Sequence, residues 1–168
     1  MRQSLFMLMV LLVWAGNLNA QDTTKVQTSD IPSAEIRTLD DKIVNARDIL
    51  NDTVPIVVSF WATWCKPCIK ELTAINDEMD TWKEEVPFRM VAVSIDDART
   101  THMVKNLVNS KGWTFEVYLD RNSDLKKLMN VAQPPHIFII YKGRIVYQHT
   151  SYAEGDEEAL FEELKKYR

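Results

Sequence analysis

Ser59-Phe60-Trp61-Ala62-Thr63-Trp64-Cys65-Lys66-Pro67-Cys68 joins a short apolar run beginning at Ile56 to a segment whose apolar residues Ile69, Leu72, Ile75, Met79 and Trp82 step by three or four. The run reads as a buried strand, and the stepped residues form the single stripe of an amphipathic helix. The CxxC therefore lies where a strand hands over to a helix. Residues three apart at a helix start bring their Cα atoms within the ~4.4–6.8 Å that a disulfide requires, so the pair can close and open without remodelling the backbone. The unpaired N–H groups and positive dipole end of the helix stabilise a thiolate at Cys65, the form that attacks a disulfide. Cys68, one turn further in and shielded, is placed to resolve the mixed disulfide. Pro67 suits the first helical turn because the N–H it lacks has no helical partner there.

Outward from this junction, Phe88 to Ile95 and Ile137-Phe138-Ile139-Ile140-Tyr141 read as two further buried central strands. Before the junction, an alternating pattern from Ala34 to Val44, broken at Asp40-Asp41, predicts a hairpin, and Ala46 to Leu50 a helical turn. After it, an amphipathic segment from about Arg99 to Ser110 turns Met103, Val104, Leu107 and Val108 inward, with Gly112 as its stop. Phe115 to Leu119 follows as a strand and Asp124 to Met129 as a short helix. Lys142-Gly143 turns the Ile137 run into a second hairpin strand, and a helix from Asp156 to Lys166 closes the chain. Strands alternating with helices, then pairing as a hairpin, imply an α/β fold: a mixed central sheet flanked by helices on both faces.

The 168 residues accommodate one domain. Arg2, an apolar run from Leu5 to Trp14 and the polar stretch Asn17-Leu18-Asn19-Ala20 read as a secretory signal, residues 1–20, cleaved after Ala20. Leu18 is larger than such sites prefer, which keeps a retained anchor as the alternative. The run is well short of the ~20 residues that cross a bilayer, so no stable membrane insertion is expected after cleavage. Residues 21–33 are polar and aperiodic and read as a flexible lead-in, and the domain is expected to occupy 34–168. The formal net charge of −4 comes from scattered charges with no basic stripe, which argues against nucleic-acid binding. An exported chain meets an oxidising compartment, where structural disulfides usually join distant residues. Here both cysteines fall in one CxxC, closing too short a loop for an entropic staple, so the pair is there for its chemistry.

The segment Phe60-Trp61-Ala62-Thr63-Trp64-Cys65-Lys66-Pro67-Cys68 resembles the thioredoxin superfamily, and within it the TlpA/ResA branch, over a span from about Ile31 to the C-terminus. Residues 97–120, ending in Val117-Tyr118-Leu119-Asp120, resemble the segment that this branch inserts before its later strands. Val131-Ala132-Gln133-Pro134-Pro135-His136-Ile137-Phe138 matches the family's cis-proline loop, with Pro135 at the cis position. The resemblance implies a thioredoxin-like fold and a thiol–disulfide oxidoreductase. Trp64, Lys66, Pro67, Pro134 and Pro135 would border the substrate. Two departures stand out: Pro134 lacks the backbone N–H that relatives can donate to substrate, and Ser59 occupies the place of thioredoxin's buried aspartate. Glu71, one turn after Cys68, matches a glutamate that the branch places near its active site. Read alone it is an ordinary solvated charge; with the resemblance it becomes the candidate proton acceptor for Cys68.

The implied activity is reduction of protein disulfides outside the cytoplasm, in a periplasmic or equivalent compartment. The implied partners are protein thiol and disulfide substrates, apocytochrome c among them, with a membrane thiol reductase as electron donor and no bound cofactor. The alternative is a copper or other metal-binding chaperone using Cys65, Cys68 and His136, although such carriers resemble a wider CxxxC spacing. Peroxidase chemistry is weaker, because its cysteine environment is not visible. His136 otherwise reads as a packing or surface residue, His102 and His149 as surface residues, Trp61 as core, and Trp64 as an apolar lip beside Cys65.

Overall fold

The computed structural model describes residues 30–168; the expected signal segment 1–20 and lead-in residues 21–29 lie outside the described residues. The strands are β1 (Glu35–Thr38), β2 (Ile43–Asn45), β3 (Ile56–Trp61), β4 (Arg89–Ser94), β5 (Glu116–Leu119), β6 (His136–Tyr141) and β7 (Arg144–Thr150). The helices are α1 (Ala46–Ile49), α2 (Lys66–Glu85), α3 (Val104–Lys111), α4 (Asp124–Leu128) and α5 (Asp156–Leu164). The strands form one sheet in the order β2-β1-β5-β4-β3-β6-β7. Pairings β3–β4 and β4–β5 are parallel, with α2 and α3 as their crossovers, and the other pairings are antiparallel. This is the expected mixed-sheet α/β architecture.

All six residues of β3 are buried, which requires cover on both faces of the sheet. Ser59 and Trp61 point towards α2: Ser59 Oγ donates to Glu71, and the Trp61 ring meets Trp113 edge-on at 5.1 Å while Trp113 Nε1 donates to Thr73. Phe60 points the other way and meets Phe138 of β6 edge-on at 5.9 Å. Helix α5 lies beside α2, with Phe161 stacked on Trp82 at 4.9 Å. Because β6 runs antiparallel to β3, pairing Phe60 with His136, the start of β6 stands next to the end of β3. The chain thus brings the loop before β6 to the CxxC.

Two expectations need correction. The segment from Arg99 to Ser110 is not one helix: a 3₁₀ turn at Thr101–Met103 precedes α3, and the change of pitch swings Met103 off the inward stripe. Met103 is 41% exposed, whereas Val104 and Val108 are buried. Packing also begins before Ala34. Asp30 bridges Arg144, Ile31 is only 3% exposed, and Arg47 Nε donates to the Ile31 carbonyl at 2.9 Å, so residues 30–33 are attached to the domain. Gly112 ends α3 in the left-handed region as expected, at φ +66°.

Candidate active site

Helix α2 begins immediately after Cys65, which occupies its N-cap position in extended backbone conformation. Cys65 and Cys68 form a disulfide with Cα atoms 5.3 Å apart, and the Cys68 N–H donates to Cys65 Sγ at 3.3 Å. The two cysteines differ in access by a small margin: Cys68 is fully buried, while Cys65 is 5% exposed and sits between Trp64, which is 57% exposed, and the exposed Lys66 and Pro67. A partner molecule approaching the disulfide therefore meets Cys65 first. The N-terminal N–H groups of a 20-residue helix favour negative charge on that sulfur once the bond opens.

The Pro134–Pro135 bond is cis. Pro134, Pro135, Gln133 and His136 line a groove of about 650 Å³ together with Pro67 from inside the CxxC and Tyr152 from beyond β7. The proline loop and the cysteine loop, far apart in sequence, thus border one surface. His136 is buried, stacks on Phe138 at 4.3 Å, and is held below the usual imidazole range by burial. Among the described residues no three His, Cys, Asp or Glu side chains are grouped so as to hold a metal ion, and His136 does not join the two cysteines in such a set.

Glu71 is not on the solvated face of α2. It is 3% exposed, its carboxylate accepts from Ser59 Oγ at 3.4 Å, and burial pushes its pKa up to about 8, opposed by the Ser59 bond and reinforced by the charges of Asp156 and Glu157. One turn along the helix from Cys68, it shares that residue's face. It also lines a small cavity of about 30 Å³, with Ile137, Tyr147, Asp156 and His149 among its other walls. That is room for a water molecule among polar groups. His149, read from sequence as a surface residue, turns an otherwise unpartnered buried Nε2 into this region, 3.6 Å from Asp156.

Sequence reasoning missed Asp96. It is completely buried just past the end of β4, and its carboxylate accepts from Thr63 N–H at 2.8 Å, Thr63 Oγ1 at 2.6 Å and Ser94 Oγ at 2.9 Å. An acidic residue after a buried strand parallel to β3 was the available signal, since sites in parallel sheets form beyond the carboxyl ends of strands.

The AhpC/TSA family model matches residues 28–149. A thiol-disulfide oxidoreductase ResA from Bacillus thuringiensis is 30% identical over 171 residues, covering 96% of this chain and 95% of the relative. An uncharacterized thioredoxin-like protein from Porphyromonas gingivalis, solved in solution, superposes with a TM-score of 0.73 at 39% identity, over 82% of this chain and 90% of that one. StoA from Bacillus subtilis shares the fold, with a TM-score of 0.61 at 21% identity over 82% and 96% of the two chains. The family match runs from before β1 into β7 and spans Cys65 and Cys68: the chain belongs to the AhpC/TSA family and is a thiol-disulfide oxidoreductase.

Proposed function

We propose that the protein reduces disulfides of other proteins outside the cytoplasm, with Cys65 as the attacking thiol and Cys68 as the resolving one. The observation that carries this reading is the asymmetry of the pair: Cys65 caps the helix beside the exposed Trp64, Lys66 and Pro67 and keeps 5% exposure, while Cys68 is wholly buried. The Cys65 thiolate attacks one sulfur of a substrate disulfide; that S–S bond breaks, a mixed disulfide forms, and the departing substrate sulfur takes up a proton. Cys68 then gives its proton to ionised Glu71 and attacks Cys65 Sγ; the Cys65–substrate S–S bond breaks, the second substrate sulfur leaves and takes up a proton, and the Cys65–Cys68 disulfide remains. Two electrons have passed to the substrate. With its pKa near 8, Glu71 is mostly protonated at pH 7, so the ionised fraction that can accept the Cys68 proton grows as pH rises towards 8. Trp64, Lys66, Pro67, Pro134 and Pro135 border the bound substrate segment, and Pro134, lacking an N–H, leaves its recognition more dependent on side chains.

Residues 1–20 direct export in this reading, and the mature domain works in the periplasm or an equivalent compartment. Among the described residues no helix is long and apolar enough to cross a membrane. A membrane thiol reductase restores the dithiol, and apocytochrome c cysteines awaiting haem are the first substrate to test. The experiment has two parts. Cys68→Ser should accumulate a mixed disulfide through Cys65, while Cys65→Ser should trap none. The equilibrium potential of the pair against glutathione or dithiothreitol should fall near about −250 mV or lower; a value near about −150 mV overturns the reductive direction.

A further inference from the structure

The loop that presents Cys65 does not rest on its own turn alone. Ala62 accepts from the Cys65 N–H at 3.0 Å, and one residue on, Thr63 is held by both its N–H and its hydroxyl to the two oxygens of Asp96. Ser94 Oγ fixes the same carboxylate from β4, and the Asp96 N–H donates back to that hydroxyl at 3.1 Å. The clamp thus links the end of β4 to the residue two positions before the nucleophile. A buried carboxylate satisfied by three donors is costly to leave partly unpaired, so the arrangement fixes Thr63 far more tightly than an exposed turn would.

We propose that Asp96 is a positioning residue for the redox reaction: by gripping Thr63 it holds Cys65 at the N-cap of α2, where the helix N–H groups stabilise its thiolate. The consequence has a sign. Loosening the grip lets Cys65 drift from the helix terminus, which disfavours the thiolate, raises its pKa and slows its attack. Removing the negative charge of Asp96 without loosening the loop would act oppositely, since an anion nearby disfavours a second one. Thr63→Val removes one bond, retains side-chain shape and leaves the Asp96 carboxylate in place, so it separates positioning from charge.

The proposal rests on Cys65 being the attacking thiol, and the test distinguishes the two failures. The reduced full chain is treated with iodoacetamide across pH 5 to 9, with the modified cysteine identified by peptide mapping and foldedness checked by circular dichroism. Thr63→Val should slow Cys65 alkylation below its pKa by about three- to tenfold, the span of a helix-terminus interaction. The rate at high pH should be unchanged and Thr63→Ser should restore the wild-type profile. Asp96→Asn should slow it in the same direction; if that variant fails to fold, Thr63→Val carries the test. An unchanged Thr63→Val profile overturns the clamp, and so does faster alkylation in Asp96→Asn, which would leave charge as the only effect. Wild-type modification at Cys68 in place of Cys65 overturns the assignment of the attacking thiol instead.

Discussion

Glu71 shows what a single residue's surroundings do to its chemistry. Unfolded, its carboxyl loses a proton near pH 4.5; folded, it retains that proton up to about pH 8. Between those values the native state binds more protons, so the residue's contribution becomes steadily unfavourable as pH rises: absent below about 4.5 and complete above about 8. At 1.36 kcal/mol per pKa unit the full cost is on the order of 5 kcal/mol. Glu71→Gln, a neutral near-isostere, should therefore match the wild type in urea unfolding of the oxidised protein at pH 4.5 and exceed it by roughly that amount at pH 9. A difference independent of pH would mean that Glu71 titrates like an exposed glutamate. The cysteines were legible because CxxC at a strand-to-helix junction has few other uses. The burial of Glu71 was not, because one glutamate beside an apolar stripe looks the same whether the stripe's edge is open or, as here, closed by α5.

Elements whose backbone demands a particular residue were the most readable. Lys142 and Gly143 have φ of +52° and +73°, the double left-handed turn that a two-residue hairpin with right-handed strand twist requires, and the glycine announces it. Gly143→Ala should destabilise the domain by about 1–2 kcal/mol through the left-handed conformation. Gly143→Asn should cost less despite its greater size, because asparagine tolerates that region. Denaturant midpoints of the two variants check the order; a larger loss for asparagine would place the penalty in contact with Asn51, whose Oδ1 lies 3.4 Å from the added Cβ. The segment before α3 was less readable because a 3₁₀ turn and an α-helix share apolar spacing over three residues. Only tertiary placement shows that Met103 belongs to the first and Val104 to the second.

Over the whole molecule, the sheet order separates two ends with different tasks. Cys65, Pro135 and Asp96 gather beyond the carboxyl end of β3, while the 142–143 turn, the start of β3 and Asp30 lie at the other end. Asp30 bridges β7 and, a few residues later, Glu35 enters β1 on the far side of the sheet order, so residues 30–34 connect the two flanks of the sheet. Sequence gave little sign of this strap, because Ile31 is an isolated apolar residue in a polar stretch and a single burial leaves no periodicity to detect. Ile31→Ala should cost about 2–4 kcal/mol, as a buried isoleucine does. Its distance from the redox end predicts that the pH profile of Cys65 alkylation stays at the wild-type position. Denaturant unfolding and alkylation of the same preparation test both halves. A stability loss accompanied by a shifted thiol profile would mean that the strap reaches the active site through the sheet, and that the two ends are coupled.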